Sequence, residues 1–264
     1  MLEKLVCIAA FLTFHTSCTG QIVPLEHAHA HNDYKHKHPL NDALDNGFMS
    51  VEADIFLVHG KLIVSHVHPF FKKKKTLEKL YLDPLVERLK KNSGALYPTS
   101  DQPLLLLIDI KTDANETYKV LEQVLKKYET MLCLYDSLRK DAAILVVLSG
   151  NKPYDLVAKS QKRNVFIDQS LFNLKDHKSA DLCPLTSTKY TNIIHWKGKG
   201  KIPAEEKQKL VELVTEAHAQ GKRVRLWASP ENEIVWKELL DDGVDLINTD
   251  KLEKLKAFLL QEKK

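Results

Sequence analysis

Leu104-Leu105-Leu106-Leu107-Ile108-Asp109-Ile110-Lys111 is an apolar run that ends in a carboxylate and an amine. A strand this apolar on both faces has to be covered on both, as parallel strands flanked by helices are. Ile144-Leu145-Val146-Val147-Leu148 repeats the pattern. Outward from these two runs, strand-like stretches alternate with helix-length ones. Candidate strands fall at 25–31, 49–57, 104–110, 143–148, 164–167, 192–196, 223–227 and 245–248, and candidate helices at 76–92, 115–128, 204–220, 231–241 and 251–261. Repeated βα units demand a parallel sheet, and eight of them predict a single (β/α)8 TIM barrel, although a doubly wound open sheet gives a similar string. No Pro- or Gly-rich linker divides the 264 residues, a length that suits one such barrel.

Composition narrows the class further. With 44% hydrophobic and 28% charged residues the chain is globular, which excludes disordered, coiled-coil and collagen-like readings. Lys and Arg total 39 against 35 Asp and Glu, a net charge of +4 spread without a basic stripe, so nucleic acid is not an expected partner. Of the four cysteines, Cys133 and Cys183 lack any zinc-like spacing, and Cys7 and Cys18 fall in the N-terminal segment. That segment carries an apolar run over 5–14 and then Ser17-Cys18-Thr19-Gly20. The run is too short to span a bilayer and reads as the core of an export signal. Ser17-Cys18 resembles the end of a lipoprotein signal, although His15 stands where that pattern carries an aliphatic residue, so ordinary cleavage is the alternative. The expectation is a signal over 1–20 and one domain over 21–264. The product would be periplasmic, at the cell surface or secreted, with Cys18 as a lipid anchor if the lipoprotein route applies.

Twelve histidines are present, eight of them between His27 and His68, where even spacing predicts about two. His36 and His38 sit among Lys35 and Lys37 and read as a polar loop. The informative polar residues end strands: His31 after the first, Glu52 and Asp54 late in the second, Asp109 and Lys111 closing the third. In a barrel, that end is where active sites are built. Strand periodicity puts Glu52 and Asp54 on one face, and two neighbouring carboxylates facing inward need a cation. A hard divalent ion, Mg²⁺ or Ca²⁺, with Asp109 as third oxygen ligand, satisfies them. The structural alternative is an ion pair with Lys111 or Arg223. His66 follows a hairpin-like return of the second strand, and with His31 it offers an acid/base pair for cleaving a P–O bond. His29, on the same strand face as His31, is the alternative first histidine.

The run Ala30-His31-Asn32-Asp33-Tyr34, then Glu52-Ala53-Asp54, Val64-Ser65-His66 and Ile108-Asp109-Ile110-Lys111, resembles the ordered motifs of the phosphatidylinositol-specific phospholipase C-like phosphodiesterases, and in particular their glycerophosphodiester phosphodiesterase branch. Val224-Arg225-Leu226-Trp227 and 243–250, Gly-Val-Asp-Leu-Ile-Asn-Thr-Asp, are similar to that family's last two strands. The resemblance implies a TIM barrel in which Glu52, Asp54 and Asp109 bind a divalent cation and His31 and His66 are catalytic. Lys111 would contact phosphate, with Asn32, Trp196 and Trp227 beside the substrate. It also implies a glycerophosphodiester or phospholipid headgroup as substrate, association with a membrane surface, and a monomer. Three positions depart from the family. Asn32-Asp33 stands where Arg-Gly is usual, so the arginine contact to phosphate is missing; Val67 replaces an aspartate after the second histidine; and Asp109 replaces a glutamate.

Two other classes compete. His29-Ala30-His31 also resembles the opening motif of metal-dependent amidohydrolases, which would call for later histidine ligands, and His195 alone is available there. A non-catalytic barrel that binds a sugar or lipid headgroup between Trp196 and Trp227 is the third reading, although it has no need of two histidines beside three acids.

Overall fold

The computed structural model describes residues 21–69, 75–135 and 142–262, so the export segment read at 1–20 lies outside the described residues. Among the described residues there are nine strands: β1 (Leu25–Ala30), β2 (Phe48–Val58), β3 (Lys61–Val64), β4 (Leu104–Ile110), β5 (Ile144–Gly150), β6 (Val165–Ser170), β7 (Leu185–Lys189), β8 (Arg223–Trp227) and β9 (Leu246–Thr249). Eight of them run parallel in the order β1-β2-β4-β5-β6-β7-β8-β9, and β1 pairs with both β2 and β9, which closes the ring. The molecule is therefore a (β/α)8 barrel rather than an open sheet. β3 alone is antiparallel, paired with the far end of β2 through Ile55 to Val58, the hairpin that the sequence suggests before His66.

Helices cover the outside: α1 (Asn41–Asp45), α2 (Asp83–Lys91), α3 (Ala114–Lys126), α4 (Tyr154–Lys159), α5 (Ala204–Ala219), α6 (Glu233–Asp241) and α7 (Leu252–Glu262). Two begin on side-chain caps, Asp113 accepting from the Glu116 N–H at 2.9 Å and Asn232 from the Val235 N–H at 3.0 Å. Apolar residues divide into two sets. The larger packs helices against the sheet, and Leu104, Leu106, Ile108 and Ile110 of β4 belong to it. The smaller fills the barrel interior with Leu105, Leu107, Val147, Phe166, Leu185 and Leu246. The continuous apolar run of β4 is thus two buried faces.

One strand lies elsewhere than the sequence reading puts it. The expected strand at 192–196 is a short 3-10 turn (Tyr190–Asn192) followed by a loop, and β7 is instead Leu185–Lys189. Its sequence, Leu-Thr-Ser-Thr-Lys, is nearly all polar, which hides it from a hydropathy reading. Ile193, Ile194 and Trp196 are apolar because their loop is buried in the helical layer. Tyr190 Oη donates to the Trp196 carbonyl at 2.7 Å and the Trp196 indole N–H to the Lys199 carbonyl at 2.9 Å, which fixes that loop.

Candidate active site

Register decides which polar groups meet. In the parallel ladder Glu52 is level with Leu107, and Asp54 is level with Asp109, which is in turn level with Ser149 of β5. Alternation then sends Glu52, Asp54, Asp109 and Ser149 inward, Glu52 level with the top of the apolar plug made by Leu105, Leu107 and Val147 and the other three one layer above it. The three carboxylates present oxygens within 4.8 Å of one another. They share a cavity of about 400 Å³ with His31, Asn32, His66, Lys111 and Trp227.

Each acid is held by one oxygen. Glu52 Oε2 accepts from Arg225 Nη1 at 2.7 Å and lies 3.1 Å from His29 Nε2. Burial alone raises a carboxyl pKa, but here the Arg225 guanidinium and then His29 outweigh it and hold Glu52 well below the usual carboxylate range. His29 is fully enclosed, with Nδ1 2.7 Å from Ser50 Oγ and Nε2 2.8 Å from Arg225 Nη1. Burial first, and Arg225 second, lower its pKa to about 4, so it is a neutral ring at physiological pH. Asp54 Oδ2 gathers Tyr34 Oη at 2.7 Å, His66 Nδ1 at 3.1 Å and Lys111 Nζ at 3.2 Å, while its Oδ1 is buried without a hydrogen-bond partner. Lys111 also lies 3.1 Å from Asp109 Oδ1. Burial pushes the Asp109 carboxyl up, and Lys111 only partly offsets it.

An acidic trio with a buried, unpartnered carboxylate oxygen fits a hard divalent cation, because such an ion adds positive charge where Lys111 is divided between Asp54 and Asp109. The structural alternative considered from sequence is present in part. Lys111 does pair with Asp54 and Asp109, whereas Arg223 donates to the Glu26 carbonyl at 3.0 Å, and the arginine paired with Glu52 is Arg225.

The two histidines flank the acids from different strands. His31, just past β1, has Nδ1 2.7 Å from Asp250 Oδ1, which directs Nε2 away from that carboxylate. Burial raises the Asp250 carboxyl, but the bond to His31 outweighs it, so the net direction is down. Asn32, in a left-handed backbone conformation, brings Nδ2 over the His31 ring, 2.9 Å from Nδ1 and 3.1 Å from Nε2, and its Oδ1 accepts from Tyr34 Oη at 2.5 Å. His66 follows β3, with its side chain 56% exposed and Nδ1 facing Asp54. Tyr34 Oη, 3.1 Å from His66 Nδ1, ties the two histidine loops together. Gly150 closes one side: its φ is +68°, and a Cβ there would fall 2.2 Å from Asp109 Oδ1.

The other residues singled out from sequence divide. Trp227 lines the cavity, but Trp196 does not; it is buried with the 190–199 loop, so it is no substrate wall. His29 sits beneath Glu52 rather than at the cavity surface, and exposed His195 lies apart from the acids, which removes the ligand set an amidohydrolase needs. Sequence reasoning gave no role to Tyr34, Arg225, Asp250, Ser149 or Asp168. Asp168 carried a usable signal, as a charge directly after the apolar Val165-Phe166-Ile167.

Comparison with known proteins agrees with this geometry. A family model described as the AIM6-like phosphodiesterase domain matches residues 16–168, and one described as the glycerophosphoryl diester phosphodiesterase family matches residues 223–253. Altered inheritance of mitochondria protein 6 from Eremothecium gossypii is 31% identical, over 91% of this chain and 71% of that protein. Its homolog from Arthroderma benhamiae is 28% identical, over 93% of this chain and 87% of that protein. Among solved structures, a glycerophosphodiester phosphodiesterase from Parabacteroides distasonis superposes with a TM-score of 0.58 at 16% identity, covering 93% of this chain and all of that one. One from Agrobacterium tumefaciens gives 0.51 at 11% identity, covering 89% of this chain and 99% of that one; at these identities both likenesses speak to the fold alone. With more than half of its length matched by one model and its last two strands by the other, the chain belongs to the AIM6-like phosphodiesterase domain family, within the glycerophosphodiester phosphodiesterase and phospholipase C-like superfamily.

Proposed function

We propose that this chain is a divalent-cation-dependent phosphodiesterase that cleaves a P–O bond of a glycerophosphodiester or phospholipid-type substrate. The observation that carries the reading is the trio Glu52, Asp54 and Asp109, with oxygens within 4.8 Å, standing beside His31 and His66 in one cavity. A cation held by these acids would neutralise charge on the phosphate. The rest is work for the chain's own groups. With Nδ1 held by Asp250, His31 offers Nε2 as the base that takes a proton from the attacking hydroxyl. His66, whose Nδ1 faces Asp54, supplies the proton for the departing alkoxide. Lys111, fixed between Asp54 and Asp109, and the Asn32 amide contact the phosphate where the family's arginine is missing. Trp227 forms an apolar wall.

In the same reading the first 20 residues direct export, the enzyme acts as a monomer at or near a membrane surface, and the cation is Mg²⁺ or Ca²⁺. Intact-mass analysis of protein secreted by an expression host tests export: a chain still beginning at Met1 counts against it, and a lipid mass on Cys18 selects the lipoprotein route.

The function itself is tested with a panel of phosphodiesters, each supplied with Mg²⁺, Ca²⁺ or Zn²⁺ after chelation, with products identified by mass. Cleavage restored by Mg²⁺ or Ca²⁺, together with at least about tenfold weaker cation binding by calorimetry in Glu52→Ala and Asp54→Ala, supports the reading. Unchanged cation affinity in both variants would place the site elsewhere.

A further inference from the structure

Across the barrel from His31, the wall of the cavity carries polar groups that the reaction above does not use. β6 stands four strands from β1 in either direction around the ring, and Asp168 near its C-terminal end is 3% exposed yet lines the cavity. Its Oδ2 accepts from Ser187 Oγ of β7 at 2.5 Å, while Oδ1 is buried without a hydrogen-bond partner. Ser149 of β5, 5% exposed and on the same cavity, also has a buried hydroxyl with no partner. Arg225 is committed to Glu52 and His29, and among the described residues neither it nor Lys152 lies within ion-pair distance of Asp168.

A buried carboxylate oxygen without a partner is costly, and one belonging to a residue on a cavity wall can be completed by a ligand. Burial pushes the Asp168 carboxyl up while Arg225, Lys152 and the Ser187 hydroxyl favour its ionised form, and to that form a ligand has to donate. A phosphate, carboxylate or acyl chain placed there would meet a like charge or leave Oδ1 unpaired, whereas a hydroxyl or a primary ammonium satisfies it and can give a second bond to Ser149.

We propose that Asp168, supported by Ser187 and Ser149, forms a subsite for a hydrogen-bond donor, a hydroxyl or a primary ammonium, carried by one alcohol arm of the phosphodiester. The proposal rests on the phosphodiesterase reading and adds a substrate class to it. The reacting phosphate lies over Glu52, Asp54 and Asp109, and the donor-bearing arm extends toward β6. The subsite rejects arms that cannot donate, because rejection of such analogues follows from leaving the protein's own buried polar group unpaired.

The test uses p-nitrophenyl phosphodiesters whose second arm is 2,3-dihydroxypropyl, 2-aminoethyl, 2-(trimethylammonio)ethyl or propyl, with the full chain and its preferred cation. The dihydroxypropyl or aminoethyl arm should exceed propyl by at least about tenfold in kcat/KM, and the trimethylammonio arm, which has charge but no donor, should not. In Asp168→Ala the ratio of the donor arm to propyl should fall to within about threefold. Asp168→Asn separates the sources: loss of the aminoethyl preference alone identifies an ammonium site, and a retained dihydroxypropyl preference a hydroxyl site. Equal rates for all four arms in the unaltered protein would overturn the subsite and leave the phosphodiesterase reading standing. If no arm is cleaved with any cation, that reading fails, and calorimetric binding of the same four diesters still decides the subsite by the same ratios. Should Asp168→Ala not fold, Ser149→Ala and the Asn variant carry the comparison.

Discussion

His31 and His66 differ in what holds them, and the difference predicts unequal consequences of removal. An alkoxide needs a proton to leave, whereas nitrophenolate scarcely does. On an alkyl diester each histidine-to-Ala change should cost roughly 10²- to 10⁴-fold in kcat. On a nitrophenyl diester His66→Ala should recover most of its activity and His31→Ala should not. The reverse pattern would exchange the two roles, and no effect on the alkyl substrate would remove both from the mechanism. Arg225 makes a different kind of prediction. It is the charged donor to Glu52 Oε2, and both groups are buried. Arg225→Met leaves an unpaired carboxylate inside the barrel and should lower unfolding stability by about 3–5 kcal/mol in denaturant titrations. Part of that loss should return when Mg²⁺ or Ca²⁺ is added. Glu52, Asp54, Asp109, His31 and His66 are legible in the sequence because each is an ionisable residue within or just after an apolar strand stretch. Arg225 is not, because Arg223 stands two residues away on the same strand and the partner that distinguishes Arg225 is 173 positions away. Asp250 is read as part of a closing motif, but its bond to His31 exists only once the ring has closed.

The elements are positioned by a few buried polar contacts that behave as hinges of the local structure. Asp33 lies in the turn after β1, where its Oδ2 accepts from the Leu40 N–H at 2.6 Å and from Tyr81 Oη at 2.9 Å, joining the loop before α1 to the segment before α2. Burial raises its pKa from the usual 3.8 to about 6, against the pull of those two donors. A raised folded pKa means that the native state binds the proton more tightly. The resulting stability is complete below about pH 3.8 and is lost as pH rises through 6, about 3 kcal/mol in all at about 1.4 kcal/mol per unit. Neighbouring His29, with its lowered pKa, slopes the other way over pH 4 to 6.5, so the unaltered protein shows a partly cancelled profile. Asp33→Asn keeps an acceptor for both donors and removes one slope. Relative to the unaltered protein it should therefore gain stability between pH 4 and 7, and parallel curves over that range would show that Asp33 does not titrate there. At the end of β5, Gly150→Ala should weaken cation binding at least about tenfold by displacing Asp109, and should cost about 1–3 kcal/mol for a side chain at positive φ. Calorimetry and thermal melts separate those effects. Most elements follow from hydropathy, as β4 and β8 do to the residue. β7 does not: after Leu185 its residues are polar, with Ser187 on the cavity wall, and the apolar Ile193-Ile194 nearby serves a buried loop.

At the scale of the whole molecule, the barrel is one closed ring with an antiparallel hairpin, β2 with β3, that carries His66 toward the mouth. The alternation of strands and helices made that architecture readable, but closure was a matter of counting, and one of the eight counted strands was misplaced. The correct count survived because a polar strand and an apolar loop lie only a few residues apart. Closure depends on β1 meeting β9, the first strand meeting the last. The His31–Asp250 bond spans 219 positions across that same seam. A chain emerging from the ribosome at roughly 5–20 residues per second takes about 10–45 s to make that interval. Until then β1 has an open edge and His31 has no carboxylate to orient it. Sealing of the ring and orienting of the histidine are one event, so no nascent fragment of this protein can carry a His31 held by Asp250 ahead of a closed barrel.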